Sequence, residues 1–139
     1  MVPHTVIVDF TIALLLTSGI CDLLAVVGRD RDFEIVARWC LLFGTVAAVL
    51  SVISGYASGS IAPEGTHTAI AAHRNFGIVT AVLALSCAAW RLASGGMPPV
   101  RRVGLYWATT LATMTAVIVT AYWGGLLVFR LGVGVFAPQ

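Results

Sequence analysis

Four long apolar stretches, separated by short polar breaks, account for most of the chain. They run over about 6–27, 35–56, 71–94 and 103–128. Each reaches the roughly 20 residues that a helix needs to cross the hydrocarbon core of a bilayer. Lipid offers the backbone no hydrogen-bond partner, so the stretches are expected to be helices. The alternation of a barrel strand is absent. Within each stretch, small or polar residues recur at alternating steps of three and four. The first carries His4, Thr11, Ser18 and Asp22, with Leu15 between; the second carries Gly44, Ala48, Ser51 and Gly55. The third carries His73, Gly77, Thr80, Ala84 and Cys87, and the fourth Thr113, Val117, Thr120 and Gly124. Such stripes let membrane helices approach closely and turn their polar groups inward. The predicted fold is all-α: a single domain over 1–139, an integral membrane up-down-up-down four-helix bundle.

The breaks set direction. Gly28-Arg29-Asp30-Arg31-Asp32 is a charged turn, and Gly95-Gly96-Met97-Pro98-Pro99 stops the third helix ahead of Arg101 and Arg102. The residues from 57 to 70 form a longer loop with one charge, Glu64. Arg29, Arg31, Arg38, Arg91, Arg101 and Arg102 gather around the first and third connections, leaving Arg74 and Arg130 on the other side. That asymmetry predicts cytoplasmic first and third connections, with both termini and the middle loop facing outward. His4, His67 and His73 then share the outer side. Trp39, Trp90 and Trp107 fall near the inner boundary and Trp123 near the outer, as interfacial anchors should. The N-terminus lacks a basic leader and a cleavage site, so it reads as a retained first span.

Composition narrows the classes. Apolar residues make up 59% of the chain and charged ones 10%, with no lysine. A water-soluble protein of this length could not hide so much apolar surface. The net charge of +2, with no basic stripe, gives nucleic acid nothing to hold. Cys21, Cys40 and Cys87 lie inside apolar stretches without metal-type spacing and read as small apolar residues. No nucleophile–base set, phosphate loop or nucleotide fingerprint is present, and the expectation is a protein that is not an enzyme.

Candidate chemistry centres on His4 and His73, at the starts of the first and third spans. Two imidazoles on one side of a four-helix bundle suit axial ligation of a b-type haem or another metal. Gly77 lies one turn beyond His73 and would make room for the porphyrin, and Arg74 or Arg130 would meet the propionates. The competing reading makes both histidines interfacial anchors. A harder-metal set would need Asp9, His67 and Glu64 as well, and His67 is read as a solvated loop residue. Asp22 is an ionisable group inside the first span, a functional hypothesis by default. Its preferred partner is Arg38, at comparable depth across the hairpin, with snorkelling to the inner surface as the alternative. A proton relay lacks further acids toward the outer side. The segment 129–139 is apolar and glycine-punctuated, suited to lie on the membrane or dock on another subunit. His4 to Trp39 spans almost the same distance as His73 to Trp107, a hint that two hairpins form a parallel repeat.

The two ends carry a family resemblance. Pro3-His4-Thr5-Val6-Ile7-Val8-Asp9-Phe10-Thr11-Ile12-Ala13-Leu14 resembles an HPxxVHFPIAL opening. The run from Gly124 to Val135 resembles a GGxLVYRHGVGV close. Both belong to the domain-of-unknown-function 2231 family of predicted four-span bacterial membrane proteins. The resemblance implies a bacterial inner-membrane protein, and histidines on one membrane face that suggest a haem or metal site. Asp9 stands where the family's second histidine belongs and Leu131 where the last belongs, while Thr5 and Thr11 replace its prolines. Of those histidines, only His4 and His73 would serve such a site here. Two functions follow as expectations. One is a small haem b electron-transfer subunit in the lipid bilayer. The other is a non-catalytic accessory subunit of a larger respiratory or photosynthetic membrane complex, binding lipid or pigment and no haem.

Overall fold

The computed structural model describes residues 2–58, 64–99 and 101–133, the side chains of 2, 3 and 58 excepted. Four helices follow one another: α1 (Val2–Gly28), α2 (Arg31–Ser58), α3 (His67–Ala93) and α4 (Val103–Phe129). Each is long and apolar enough to cross a membrane. They extend past the apolar stretches at most ends, because a helix continues into the boundary until a turn residue stops it. Arg29 stops α1 in the left-handed region at φ 52°, and Asp30 Oδ1 accepts the backbone N–H of Asp32 at 2.9 Å as α2 begins. Gly95 and Gly96, at φ 76° and 86°, turn the chain after α3. Only glycine takes that backbone without strain. His67 corrects the loop assignment made above. It is the first residue of α3, which starts after Thr66.

Each helix packs on its chain neighbour, and α4 closes the ring against α1. Helices α1 and α3 therefore face each other across the bundle axis. The stripes meet there. Leu15, Leu41, Ala48, Ala81, Ala84, Cys87, Ala88 and Val117 form the buried core. Small residues let the backbones close: a Cβ on Gly44 would lie 2.8 Å from Leu15 Cδ2 and 3.1 Å from Leu14 Cβ. Leu15 is fully packed and has nowhere to go, so Gly44→Ala is expected to cost about 1–3 kcal/mol in detergent unfolding.

The outer face settles the solvent. Phe10 is 60% exposed, Ile53 60%, Val82 55% and Leu111 66%, one from each helix. A face this apolar on every side belongs in hydrocarbon. Polar groups run inward in two layers with an apolar plug between them. His4, Thr11, Ser51, His73, Thr80 and Thr120 lie toward the terminal end, where α1 and α3 begin and α2 and α4 finish. Asp22, Arg91 and Tyr106 lie toward the connection end, where the two short connections lie. Leu15, Ala48, Ala84 and Val117 separate the layers.

Candidate functional site

His4 and His73 meet at the terminal end. Their ring centroids are 6.4 Å apart and the ring planes are nearly perpendicular, at 89°. Position along the helix explains the meeting: each lies near the start of its helix, and the two helices run in the same direction on opposite sides of the axis. Each ring rests on a glycine of the next helix. A Cβ on Gly55 would lie 3.1 Å from His4 Cε1, and one on Gly124 would lie 3.1 Å from His73 Cε1.

The hydrogen bonds fix the tautomer of His73 and anchor the ring of His4. His73 Nδ1 is 3.0 Å from the Thr120 carbonyl, which can only accept, so Nδ1 carries the proton. His4 Nδ1 is 2.8 Å from Ser54 Oγ. The Ser54 hydroxyl also lies 3.1 Å from the Ser51 carbonyl, so it can either accept from His4 Nδ1 or donate to it. Neither Nε2 has a hydrogen-bond partner among the described residues, and that of His73 is a lone pair. A neutral imidazole with Nδ1–H anchored and Nε2 free is the form that binds metals. One turn to two turns deeper the pattern repeats: Thr11 Oγ1 contacts Ser51 Oγ at 3.0 Å and Thr80 Oγ1 contacts Thr120 Oγ1 at 3.2 Å, each pair 40 residues apart in the chain.

The other proposed contributors sit apart from one another. Arg74 is exposed, with its guanidinium 5.1 Å over the Tyr56 ring. Arg130 caps the end of α4 and is exposed. Gly77 faces the Thr120 methyl, 3.8 Å from where its Cβ would be, an ordinary contact rather than a slot. Asp9 and His67 are exposed. Among the described residues no three histidine, cysteine or acidic side chains gather closely enough to hold a metal, so the harder-metal set does not form. The segment 134–139 of the apolar tail lies outside the described residues.

Asp22 corrects the sequence reading. It pairs with Arg91 of α3, not with Arg38. Arg91 Nη1 donates to Asp22 Oδ1 at 2.6 Å, and both side chains are 2% exposed. Tyr106 donates to Asp22 Oδ2 at 2.9 Å and accepts from Arg91 Nη1 at 3.2 Å. Arg91 Nε and Nη2 reach the carbonyls of Gly96 at 3.0 Å and Glu34 at 2.9 Å. Every helix thus contributes to one network: Asp22 from α1, Glu34 from α2, Arg91 from α3 and Tyr106 from α4. Burial across the axis outcompetes proximity across the hairpin. The partners are 69 residues apart. The same interval separates His4 from His73, Thr11 from Thr80, Ser51 from Thr120 and Gly55 from Gly124. The two hairpins are related position by position, with acid on one half where the other has base.

Two cavities are no rivals to the histidine pair. The one beside Asp22, lined by Ser18, Cys87, Thr110 and Thr113 among others, holds about 10 Å³. That is room for about one water and no cofactor. The other is an open groove of about 480 Å³ between α1 and α2, lined by Phe10, Leu14, Phe43 and Leu50. It has no donor atom for a metal.

A family model described as "Predicted membrane protein (DUF2231)" matches residues 3–137. Comparison with curated proteins and with solved structures finds no match.

Proposed function

We propose, from the premise that this chain belongs to the DUF2231 family of predicted membrane proteins, that it is a small haem b protein of the bacterial inner membrane, with both termini periplasmic. The observation that carries the reading is the meeting of His4 and His73, with ring centroids 6.4 Å apart and each Nδ1 held by a neighbouring helix. The donor set fits: two neutral imidazoles suit haem iron, which here would supply one-electron transfer. His4 and His73, with ring centroids 6.4 Å apart, are near enough to serve one shared iron.

His4 and His73 would bind the iron. Ser54 and the Thr120 carbonyl would orient the rings and keep them basic. Gly55 and Gly124 admit the imidazoles against the helix backbones. Arg74 and Arg130, exposed at the same end, would pair with propionates. The gathering of six arginines at the connection end supports the periplasmic placement of the termini. The role proposed is electron carriage rather than catalysis, alone or within a larger membrane complex.

The test is spectroscopic. Protein purified in detergent from a haem-replete host is expected to show b-type bands that sharpen on reduction, with haem iron stoichiometric with chain. A colourless, iron-free preparation would overturn this reading in favour of an accessory subunit that binds lipid or pigment.

A further inference from the structure

Inside the bundle one buried hydroxyl departs from the pattern of the others. Thr11, Thr45, Thr80, Thr113 and Thr120 each donate to the backbone carbonyl one turn back, at 2.7 to 3.0 Å. That carbonyl is within reach of a threonine on a helix. Thr110 does not use it. Its Oγ1 is buried and has no hydrogen-bond partner among the described residues. A buried hydroxyl is costly to leave unsatisfied.

Thr110 lines the cavity beside Asp22, and the volume of about 10 Å³ is close to what one water needs. Cavities that stay dry are apolar. This one is not, because Asp22, Ser18 and Thr113 also line it. The Asp22 carboxylate accepts from Arg91 at Oδ1 and from Tyr106 at Oδ2. A carboxylate has about four acceptor positions, so it has capacity to spare. Ser18 spends its proton on the Ala37 carbonyl at 2.9 Å and keeps its lone pairs. Tyr106 gives its proton to Asp22. Cys87 brings only a weak thiol, 3.8 Å from Thr113 Oγ1. Thr110 is thus an unspent donor beside unspent acceptors, around a space of water size.

We propose that this cavity is a binding site for a single resident water. The water accepts from Thr110 Oγ1 and donates to the Asp22 carboxylate and to Ser18 Oγ, about the number of bonds typical of a buried water. It ties α4 to α1 and fills lone pairs that a carboxylate buried in a membrane would otherwise leave bare. Leu15 and Leu41, from the core, also line the cavity, so the water exchanges when the bundle opens locally rather than by surface diffusion.

Full-length protein in detergent is examined by nuclear Overhauser transfer from water to assigned side chains and by oxygen-17 relaxation of the solvent, which counts waters held longer than the protein tumbles. The native chain is expected to show transfer from a long-lived water to the Thr110 methyl and the Cys87 β protons. Thr110→Val keeps the shape and removes the hydroxyl, and is expected to shorten the residence of that water about fivefold, as loss of one hydrogen bond should. Thr110→Leu fills the space as well, and is expected to abolish the transfer and remove about one slow water per chain. Thr115→Val alters an exposed hydroxyl that already donates to the Leu111 carbonyl, and is expected to change neither reading. A native chain without long-lived water at Thr110 and Cys87 would overturn the proposal. So would an unchanged residence time in Thr110→Val, or a slow water that persists at these positions in Thr110→Leu.

Discussion

Arg91→Leu is expected to destabilise the folded bundle by about 3–5 kcal/mol, the largest loss from any single side chain. The substitution leaves the Asp22 carboxylate 2% exposed with no cation, and strips the carbonyls of Gly96 and Glu34 of their donors. Tyr106 alone still donates to Asp22. The double variant Asp22→Leu with Arg91→Leu is expected to recover much of the loss, because neither charge is then buried alone. Tyr106→Phe removes one hydrogen bond and is expected to cost about 1 kcal/mol. Exchange of the charges, Asp22→Arg with Arg91→Asp, is expected to outperform either single replacement, since the two positions are equivalent in the repeat. Thermal unfolding in detergent reads all of these. Equal stability of Arg91→Leu and the double variant would show that Asp22 finds another partner.

His73→Ala and His4→Ala are each expected to abolish the b-type spectrum while leaving the bundle folded. Neither ring lies in the apolar core, and Gly55 and Gly124 flank them with backbone alone, so truncation leaves packing nearly intact. What is lost is an iron ligand, and the expected fall in haem affinity exceeds the roughly 10–100-fold typical of a supporting residue. Ser54→Ala is expected to fall within that smaller range, because it frees His4 Nδ1 without removing Nε2. The His73 anchor is a backbone carbonyl, so no side-chain change reproduces that effect on the other half. Full haem retention in either alanine variant would remove the pair from the site.

The apolar stretches and their breaks made the helices legible, because hydrocarbon leaves a chain only one way to satisfy its backbone. The stripe residues Thr11, Leu15, Ser18, Ala48, Ala84, Thr113 and Val117 are buried as their spacing required. The meeting of His4 and His73 was legible for the same reason, since two parallel helices bring their starting residues to one level. The Asp22 partner was misread. Depth alone admits both Arg38 and Arg91, and the sequence reading chose the neighbour in the hairpin. The signal that distinguishes them is the interval that also separates His4 from His73, and it went unused. Tyr106 was missed because a tyrosine in an apolar run looks like an anchor until a carboxylate is placed opposite. Ser54 was not singled out, and the acceptor for His73 is a main-chain oxygen, to which no residue type points.

The proposed haem site takes one imidazole from each half of the chain, His4 and His73. Electron paramagnetic resonance of the oxidised, haem-replete protein addresses that claim most directly. The prediction is a low-spin signal from iron with two imidazole ligands, lost in both His4→Ala and His73→Ala. A high-spin signal, one that either substitution leaves unchanged, or no haem iron at all would contradict it.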